Sequence, residues 1–373
     1  MKHTESETTV DWPATGSAIA PKNRTEAATC VRQASIDEVS IGGPGATFGW
    51  DLRRLDAVIS FQQPDMVITT ETGITLAELK DMVEEKGLWL PLDSGSSSAE
   101  PLAELLMHGG GISWLSHRHG MPRDWVTGMT VLDDHGNEVV NGAKVVKNVA
   151  GYQLTPLYLG SHYLFGPILE ITFRLLPLPK NITAVRLTAN SPAPLLDFVD
   201  QSRTPAGLAG AGEPWEGLLL SKRGSLWELQ GFSRMSEKGL TALLSTEAKY
   251  ESVDLMDAQA PPREQAPGSA GSRLTLQTLP SQVRDILLSP EVNPYSIYCY
   301  PAAGIIHLSW EDEHRTSEPL LQRLSGSAAR IISRQTPFNA EQIISSAFPA
   351  AIAEKVKQAL DPRGVFGPLM VGQ

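Results

Sequence analysis

The stretch from Lys144 to Arg174 constrains this chain more than any other. It reads KVVKNVAGYQLTPLYLGS from Lys144 to Ser161 and continues, from Phe165, as FGPILEITFR. Two isolated glycines, Gly151 and Gly160, and then Ser161 precede a β-branched and apolar run, Ile168 to Leu176, that is closed by Pro177 and Pro179. Such a run is a strand signal. Glycines ahead of it let backbone approach a ligand closely, with N–H groups free for polar edges. The proline pair marks the best domain boundary, and 373 residues are enough for two domains with separate cores.

Around this boundary the chain alternates helix and strand signals. Residues 1–17 are polar and read as a flexible tail. TEAATCVRQA (25–34) reads as a short helix and DEVSI (37–41) as a short strand. Residues 56–61 and 66–71 have strand-like content. Thr75 to Lys86 predicts a helix: Thr75 caps it, Glu78 completes a capping box, and Leu76, Leu79, Met82 and Val83 share one apolar face. A short extended piece (88–92), a helix (101–108) and a hairpin of 126–132 with 137–140 follow. Beyond Pro179, strands are expected at 181–189, 217–221, 225–233, 295–300 and 304–310. Helices are expected at 192–202, 236–247, 317–324, 339–346 and 349–360. DAQAPPREQAPGSAGS (257–272) reads as a mobile linker or loop.

Several polar or glycine-rich turns carry candidate chemistry. Gly42, Gly43 and Gly45, with Ala46 and Thr47, can turn several N–H groups and one hydroxyl toward a pyrophosphate. A tight surface turn accounts for the same run. Asp93 lies in the turn PLDSG (91–95), and Gly110 in a triple glycine. Gly120 opens GMPRD, where Arg123 and Asp124 are expected to pair with each other. Lys147 is either a counter-charge for an anionic cofactor or a solvated lysine, and Tyr152 is expected in the core. His117 and His119, two residues apart with no further ligand nearby, make a poor zinc site. Neither a G-x-S-x-G elbow nor a Walker A loop is present.

In their order, these motifs resemble the FAD-linked oxidase superfamily of the PCMH or vanillyl-alcohol-oxidase type. Within it, the nearest likeness is to the FAD-binding subunits of bacterial glycolate oxidases. The 144–174 run follows that family's K-N-x-A-G-Y-D-L…G-S…G-x-I-x-E, and VITTETGITLAEL (67–79) its V-x-x-x-A-G-x-T-L-A-E-L. The segment from Gly120 follows G-x-x-R-D-x-V-x-G, and DPRGVFGP (361–368) the terminal D-P-x-G-x-x-N-P-G. The resemblance implies an α+β protein: a PCMH-type FAD-binding domain of two α+β lobes over 18–179, then a smaller C-terminal α+β cap or substrate domain over 180–354. A tail over 355–373 would return to the FAD domain. It further implies non-covalent FAD held by Gly42, Gly43, Gly45, Ala46, Thr47, Asp93, Gly110, Gly120, Lys147, Gly151, Gly160, Ser161 and Ile168. No metal and no particular catalytic residue is implied, and no histidine or cysteine is suited to covalent flavin attachment.

The implied reaction is oxidation of a small 2-hydroxy acid, glycolate first, in a complex with a second flavin subunit and an iron–sulfur subunit. The chain also departs from the pattern. The glycine pair expected near Ala103 to Leu105 is absent, with Gly109 to Gly111 just downstream. The G-S-x-G-T-L-G-V-I loop reads GSHYLFGPI (160–168), so Tyr163 replaces a small residue, Leu164 a hydroxyl, and Pro167 removes an N–H donor. Gly367 stands where asparagine is usual. These departures keep two other readings open: a flavin-poor structural subunit, and a stand-alone FAD-linked oxidase of another alcohol.

Composition excludes some partners. The apolar share of 41% and charged share of 20% are ordinary for a soluble protein, and a net charge of −11 argues against nucleic acid or an anionic membrane surface. Cys30 and Cys299 are the two cysteines, too few to hold an iron–sulfur cluster, and they fit a reducing compartment. No run approaches the about 18 apolar residues of a membrane span, and the N-terminus lacks the apolar core of a signal peptide. The expected location is the cytoplasm, with membrane association only through partner subunits.

Overall fold

The computed structural model of the chain describes residues 10–43, 45–93, 99–108, 113–142, 154–180, 182–203, 215–242, 250–258, 272–301, 303–310, 318–324, 329–335 and 350–368. Two compact units result: one of 1–111, 121–177 and 346–373, the other of 112–120 and 178–345.

The chain opens with β1 (Ala18–Ile19), α1 (Arg24–Ile36), β2 (Gly49–Trp50), β3 (Val58–Gln62), β4 (Val67–Glu71), α2 (Leu76–Glu84), β5 (Leu88–Trp89) and α3 (Leu102–Met107). After α4 (Ser116–His119), which counts with the second unit, come α5 (Pro122–Trp125), β6 (Val126–Leu132), β7 (Glu138–Gly142), α6 (Thr155–Tyr158), β8 (Ile168–Arg174) and β9 (Leu176–Pro177). The first unit is built on an antiparallel sheet of order β3-β4-β8-β6-β7. Its central strands β4 and β8 are buried on both faces, which explains their lack of polar alternation.

Helix starts follow local chemistry. Thr75 Oγ1 accepts from the Glu78 amide and Glu78 accepts from the Thr75 amide at 3.0 Å, the expected capping box, while Leu76, Leu79 and Val83 are buried. Asn23 caps α1 by accepting from the Glu26 amide at 2.9 Å. The expected strand 37–41 is corrected to a single bridge between Ile41 and Phe48. Its cause is local: α1 runs on to Ile36, Asp37 caps it, and Glu38 takes a left-handed φ of 53° that no strand accommodates.

The second unit holds β10 (Ile182–Ala189), α7 (Ala193–Arg203), β11 (Trp215–Arg223), β12 (Leu226–Ser233), α8 (Glu237–Thr241), β13 (Ser252–Ala258), β14 (Ser272–Gln277), α9 (Pro280–Leu287), β15 (Ser296–Tyr300), β16 (Ile305–Trp310), α10 (Glu318–Leu324) and β17 (Arg330–Gln335). Its eight strands form an antiparallel sheet of order β13-β10-β12-β11-β15-β16-β14-β17. Leu195, Phe198 and Val199 of α7, Val283 and Ile286 of α9 and Leu320 of α10 share one core with Leu218, Leu220, Leu274, Ile297, Cys299, Ile306 and Leu308 of the strands. Because side chains alternate along a strand, Thr275, Tyr298, Tyr300 and His307 stand on the opposite face.

β13, β14, α9 and β17 were absent from the sequence reading. The expected linker 257–272 begins inside β13 and ends on β14, with 259–271 outside the described residues, as is the expected helix 339–346. The expected helix 236–247 is described only to residue 242, as α8 with one further turn residue.

Last comes α11 (Ala350–Leu360), which belongs to the first unit. Asp361, just after it, accepts from the amides of Val365 and Phe366 at 2.8 and 3.0 Å and from Lys357 Nζ at 2.5 Å. The Ile41 amide donates to the Val365 carbonyl at 2.8 Å, so this tail closes onto the residue that precedes the glycine turn. Among the described residues no helix is long and apolar enough to cross a membrane.

Candidate cofactor site

The glycine turn 42–47 is closed partly on itself. The Gly42 amide donates to the Phe48 carbonyl at 2.7 Å and the Ala46 amide to the Gly43 carbonyl at 3.1 Å. Thr47 gives its amide to Ser40 Oγ and accepts from the Ser40 amide on its own hydroxyl, at 3.0 and 3.2 Å. The Thr47 hydroxyl is therefore committed within the turn. The amides of Gly43 and Gly45 donate to no acceptor among the described residues, and these two are the donors an anion can use.

Three segments meet at this turn with no room for side chains. A Cβ on Gly42, whose φ is +96°, would lie 2.8 Å from Tyr163 Cβ and 3.0 Å from Trp50 Nε1. One on Gly43 would lie 3.1 Å from the His162 carbonyl oxygen and from Leu164 Cδ2, and one on Gly367 would lie 3.2 Å from Gly43. The glycines are needed for close approach as much as for conformation.

The loop 160–164 is seated on the end of α3. The amides of Gly160 and His162 donate to the Leu106 and Met107 carbonyls, each at 2.8 Å, satisfying two of the orphan acceptors of that helix end. Ser161 is buried, and its Oγ has no hydrogen-bond partner in the structure; the same holds for Trp50 Nε1 and Asn141 Nδ2. Buried polar atoms are rarely left unpaired unless a ligand, ion or water completes them. Amides of Gly43 and Gly45 without an acceptor among the described residues, an orphan hydroxyl at Ser161 and tightly enclosed glycines fit a polar, phosphate-bearing cofactor.

A cluster that the sequence reading missed stands at the same loop. His162 and Tyr163 are consecutive non-glycine residues in the left-handed region, with φ of 52° and 63°, a costly conformation that gathers at functional sites. His162 Nδ1 lies 2.7 Å from His108 Nδ1, and His108 Nε2 lies 3.0 Å from Glu104 Oε2. Tyr163 donates its hydroxyl to Glu104 Oε1 at 2.8 Å. Burial, and secondarily the His108 ring, hold His162 down at about 4. Burial pushes the Glu104 carboxyl up, but the hydrogen bonds from His108 and Tyr163 outweigh it and leave it below the usual carboxylate range. The available signal was the four-residue spacing of Glu104 and His108 on a helix.

The remaining expected residues scatter. Asp93 is buried and pairs with the buried Lys80 at 3.4 Å, so its charge is answered inside the fold. Ile168 is fully buried at the start of β8, its carbonyl accepting from Thr72 Oγ1 at 2.5 Å. Gly120 ends α4 in the second unit with a φ of 80°. Gly110, Lys147, Gly151 and Tyr152 lie outside the described residues. Arg123 and Asp124 form no ion pair: the Asp124 carboxylate accepts from the Met121 amide at 2.7 Å, and Arg174 donates to its carbonyl. At the β6–β7 turn, ligand atoms of Asp133, Asp134 and His135 lie within 4.8 Å of one another, although Asp133 already accepts from the amides of His135 and Asn137.

In the second unit a β-bulge at Trp215/Gly217 re-aims Glu216. This buried carboxylate lies 2.7 Å from His119 Nε2, 3.1 Å from Arg118 Nε and 2.8 Å from Arg234 Nε. Burial raises its pKa, but the His119 hydrogen bond and the Arg118 charge outweigh that and hold it below the usual range. The same bulge lets the Leu218 amide donate to the Trp114 carbonyl at 3.1 Å, and the Trp114 ring packs on Phe232. Segment 113–120 is thereby pinned to the sheet. Farther along the face opposite that core, Thr275 Oγ1 lies 2.9 Å from His307 Nδ1, with the Tyr298 and Tyr300 rings 6.1 and 5.7 Å from the imidazole. Burial and the Arg273 charge pull His307 down to about 3.

Residues 18–141 match the family model described as "FAD binding domain". The cofactor of a domain that matches this model is FAD. D-2-hydroxyglutarate dehydrogenase of Stutzerimonas stutzeri is 28% identical over 196 residues, covering 48% of this chain and 42% of that protein. Glycolate oxidase subunit GlcE of Escherichia coli is 25% identical over 180 residues, 48% of this chain and 51% of that one. The solved alkyldihydroxyacetonephosphate synthase superposes with a TM-score of 0.68 at 12% identity, over 95% of this chain and 76% of that one, which shows a shared α+β fold. The chain spans less than half the length of the first curated relatives it matches.

Proposed function

We propose that this chain is the FAD-binding subunit of a glycolate-oxidase-like 2-hydroxy acid oxidoreductase that hands its electrons to an iron–sulfur partner. The observation that carries this reading is the glycine turn at Gly42–Gly45, whose Gly43 and Gly45 amides have no acceptor among the described residues and which lies inside the segment that matches an FAD binding domain. The amides of Gly43 and Gly45 would hold phosphate oxygens of non-covalent FAD. When bound, the flavin supplies the two-electron acceptor.

On the second unit, the face opposite the helical core offers Arg273 for a substrate carboxylate and Tyr298, Tyr300 and the neutral His307 for a hydroxyl. Cys30 and Cys299 are both buried and free, with thiol pKa values pushed up mainly by burial, to about 11 for Cys30. Neither suits cluster ligation, so onward electron transfer requires an iron–sulfur subunit, and a second flavin subunit completes the proposed complex.

A second reading, a flavin-poor structural subunit, is favoured by Tyr163 standing directly against Gly42 and by Pro167, which lacks an amide. The absorption spectrum of the purified full chain separates them. The first reading expects the two visible bands of oxidised flavin at near-stoichiometric content. Protein that stays colourless after incubation with FAD would leave the structural reading standing.

A further inference from the structure

We propose that His108 and His162 form a binding site for a divalent transition-metal ion of the zinc type, with Glu104 as its orienting carboxylate. The site goes beyond the FAD reading and stands whether or not flavin is bound.

Two imidazoles turn the same atom toward one point. His108 Nδ1 and His162 Nδ1 lie 2.7 Å apart, with ring centroids 4.8 Å apart and planes inclined at 61°. One ring stands at the end of α3 and the other on loop 160–164. With metal–nitrogen bonds of about 2.0–2.1 Å at a tetrahedral angle, two ligating nitrogens stand roughly 3.3 Å apart, about 0.6 Å more than here. The His108 side chain, 41% exposed, has room for that small outward swing, and the same exposure gives an ion its way in.

The surroundings supply what such a pair needs. A metal-bound imidazole gives its other ring N–H to a carboxylate or carbonyl, which fixes its tautomer and makes it a better ligand. His108 Nε2 donates to Glu104 Oε2 at 3.0 Å, which leaves the Nδ1 lone pair facing His162. Tyr163 donates to the other Glu104 oxygen at 2.8 Å, so the carboxylate is itself held in place. Ligating imidazoles must be neutral, and burial keeps His162 so. Glu104 offsets the charge of the ion. Asp51 and Arg53, paired at 2.7 Å, are the other charges that bear on it. Nitrogen donors select zinc, copper or nickel over magnesium and calcium, which take oxygen. Water fills the remaining positions, so the ion is exchangeable.

The ion has a mechanical use. His162 and Tyr163 hold left-handed φ values of 52° and 63°, a cost that surrounding contacts must sustain. Those contacts are the ones to His108 and Glu104. A metal between the two rings would clamp loop 160–164 to α3, beside Gly42 and Gly43.

The test is a Zn²⁺ titration of the full, tag-free chain, stripped with EDTA, labelled with ¹⁵N-histidine and free of flavin. One equivalent is expected to move the Nδ1 signals of two histidines together, which the spectra of His108→Gln and His162→Gln assign. Calorimetry should show one saturable site, abolished in both variants and weakened about ten- to a hundredfold in Glu104→Gln. The competing cluster is Asp133, Asp134 and His135, so Asp134→Asn should leave the site unchanged. No response, a response at one imidazole alone, or binding lost in Asp134→Asn but kept in His162→Gln each overturns the site. Should a variant fail to fold by circular dichroism, the native spectra still decide, because both Nδ1 nitrogens must respond. A chain that never takes up FAD fails the earlier reading and leaves this titration untouched.

Discussion

Replacing Asp361 with alanine is expected to destabilise the first unit by about 3–5 kcal/mol, the usual cost of stranding one member of a buried ion pair. Asp361 is 3% exposed and accepts from Lys357 Nζ and from two amides of the tail that follows it. Lys357 is 12% exposed at its side chain, too little for water to replace the lost carboxylate. Burial already lowers its pKa and Asp361 opposes that, so the variant's lysine is expected to hold its proton less tightly than the native one. The loss also reaches the glycine turn, because Lys357 donates to the Leu164 and Phe366 carbonyls beside Gly43. Urea unfolding, followed by tryptophan fluorescence, measures the stability, and FAD uptake should fall with it. A change below about 1 kcal/mol, the scale of an exposed pair, would show that the contact is replaceable.

Glu216→Ala should cost the second unit about 2–4 kcal/mol, somewhat less because Arg118 and Arg234 can rehydrate while His119 cannot. The same residue predicts an acid limb. Its folded pKa is depressed, so its contribution is fully present above the unfolded carboxylate value and is lost as pH falls through the folded one. Stability of the native chain should therefore drop below about pH 4 by more than that of Glu216→Ala, whose curve lacks this group. Parallel curves for the two proteins across pH 3–6 would refute the assignment.

What could be read in advance was what depends on near neighbours. The Thr75–Glu78 box, the apolar face of α2 and the β6–β7 hairpin all lie within a few residues of chain, and the structure forms each of them. Where distant groups decide, local pattern is silent. The bond from the Ser40 amide to the Thr47 hydroxyl and the pairing of Asp93 with Lys80 show only in the folded chain. Placement of 113–120 with the second unit depends on Glu216, about a hundred residues away, and a bulge that no local pattern announces. The cluster of Glu104, His108 and His162 escaped for the same reason: His108 and His162 are 54 residues apart. β13 and β14 were obscured by the Pro- and Gly-rich composition of the segment between them.

The bond from the Ile41 amide to the Val365 carbonyl has a consequence for biosynthesis. At translation rates of about 5–20 residues per second, residues 350–368 leave the ribosome many seconds after the glycine turn. During that interval the Ile41 amide has no acceptor and Gly43 lacks the cover of Gly367. The intervening second unit can collapse around its own sheet first. The glycine turn therefore reaches its final packing only once residues 350–368 have been made, and cofactor loading waits for them.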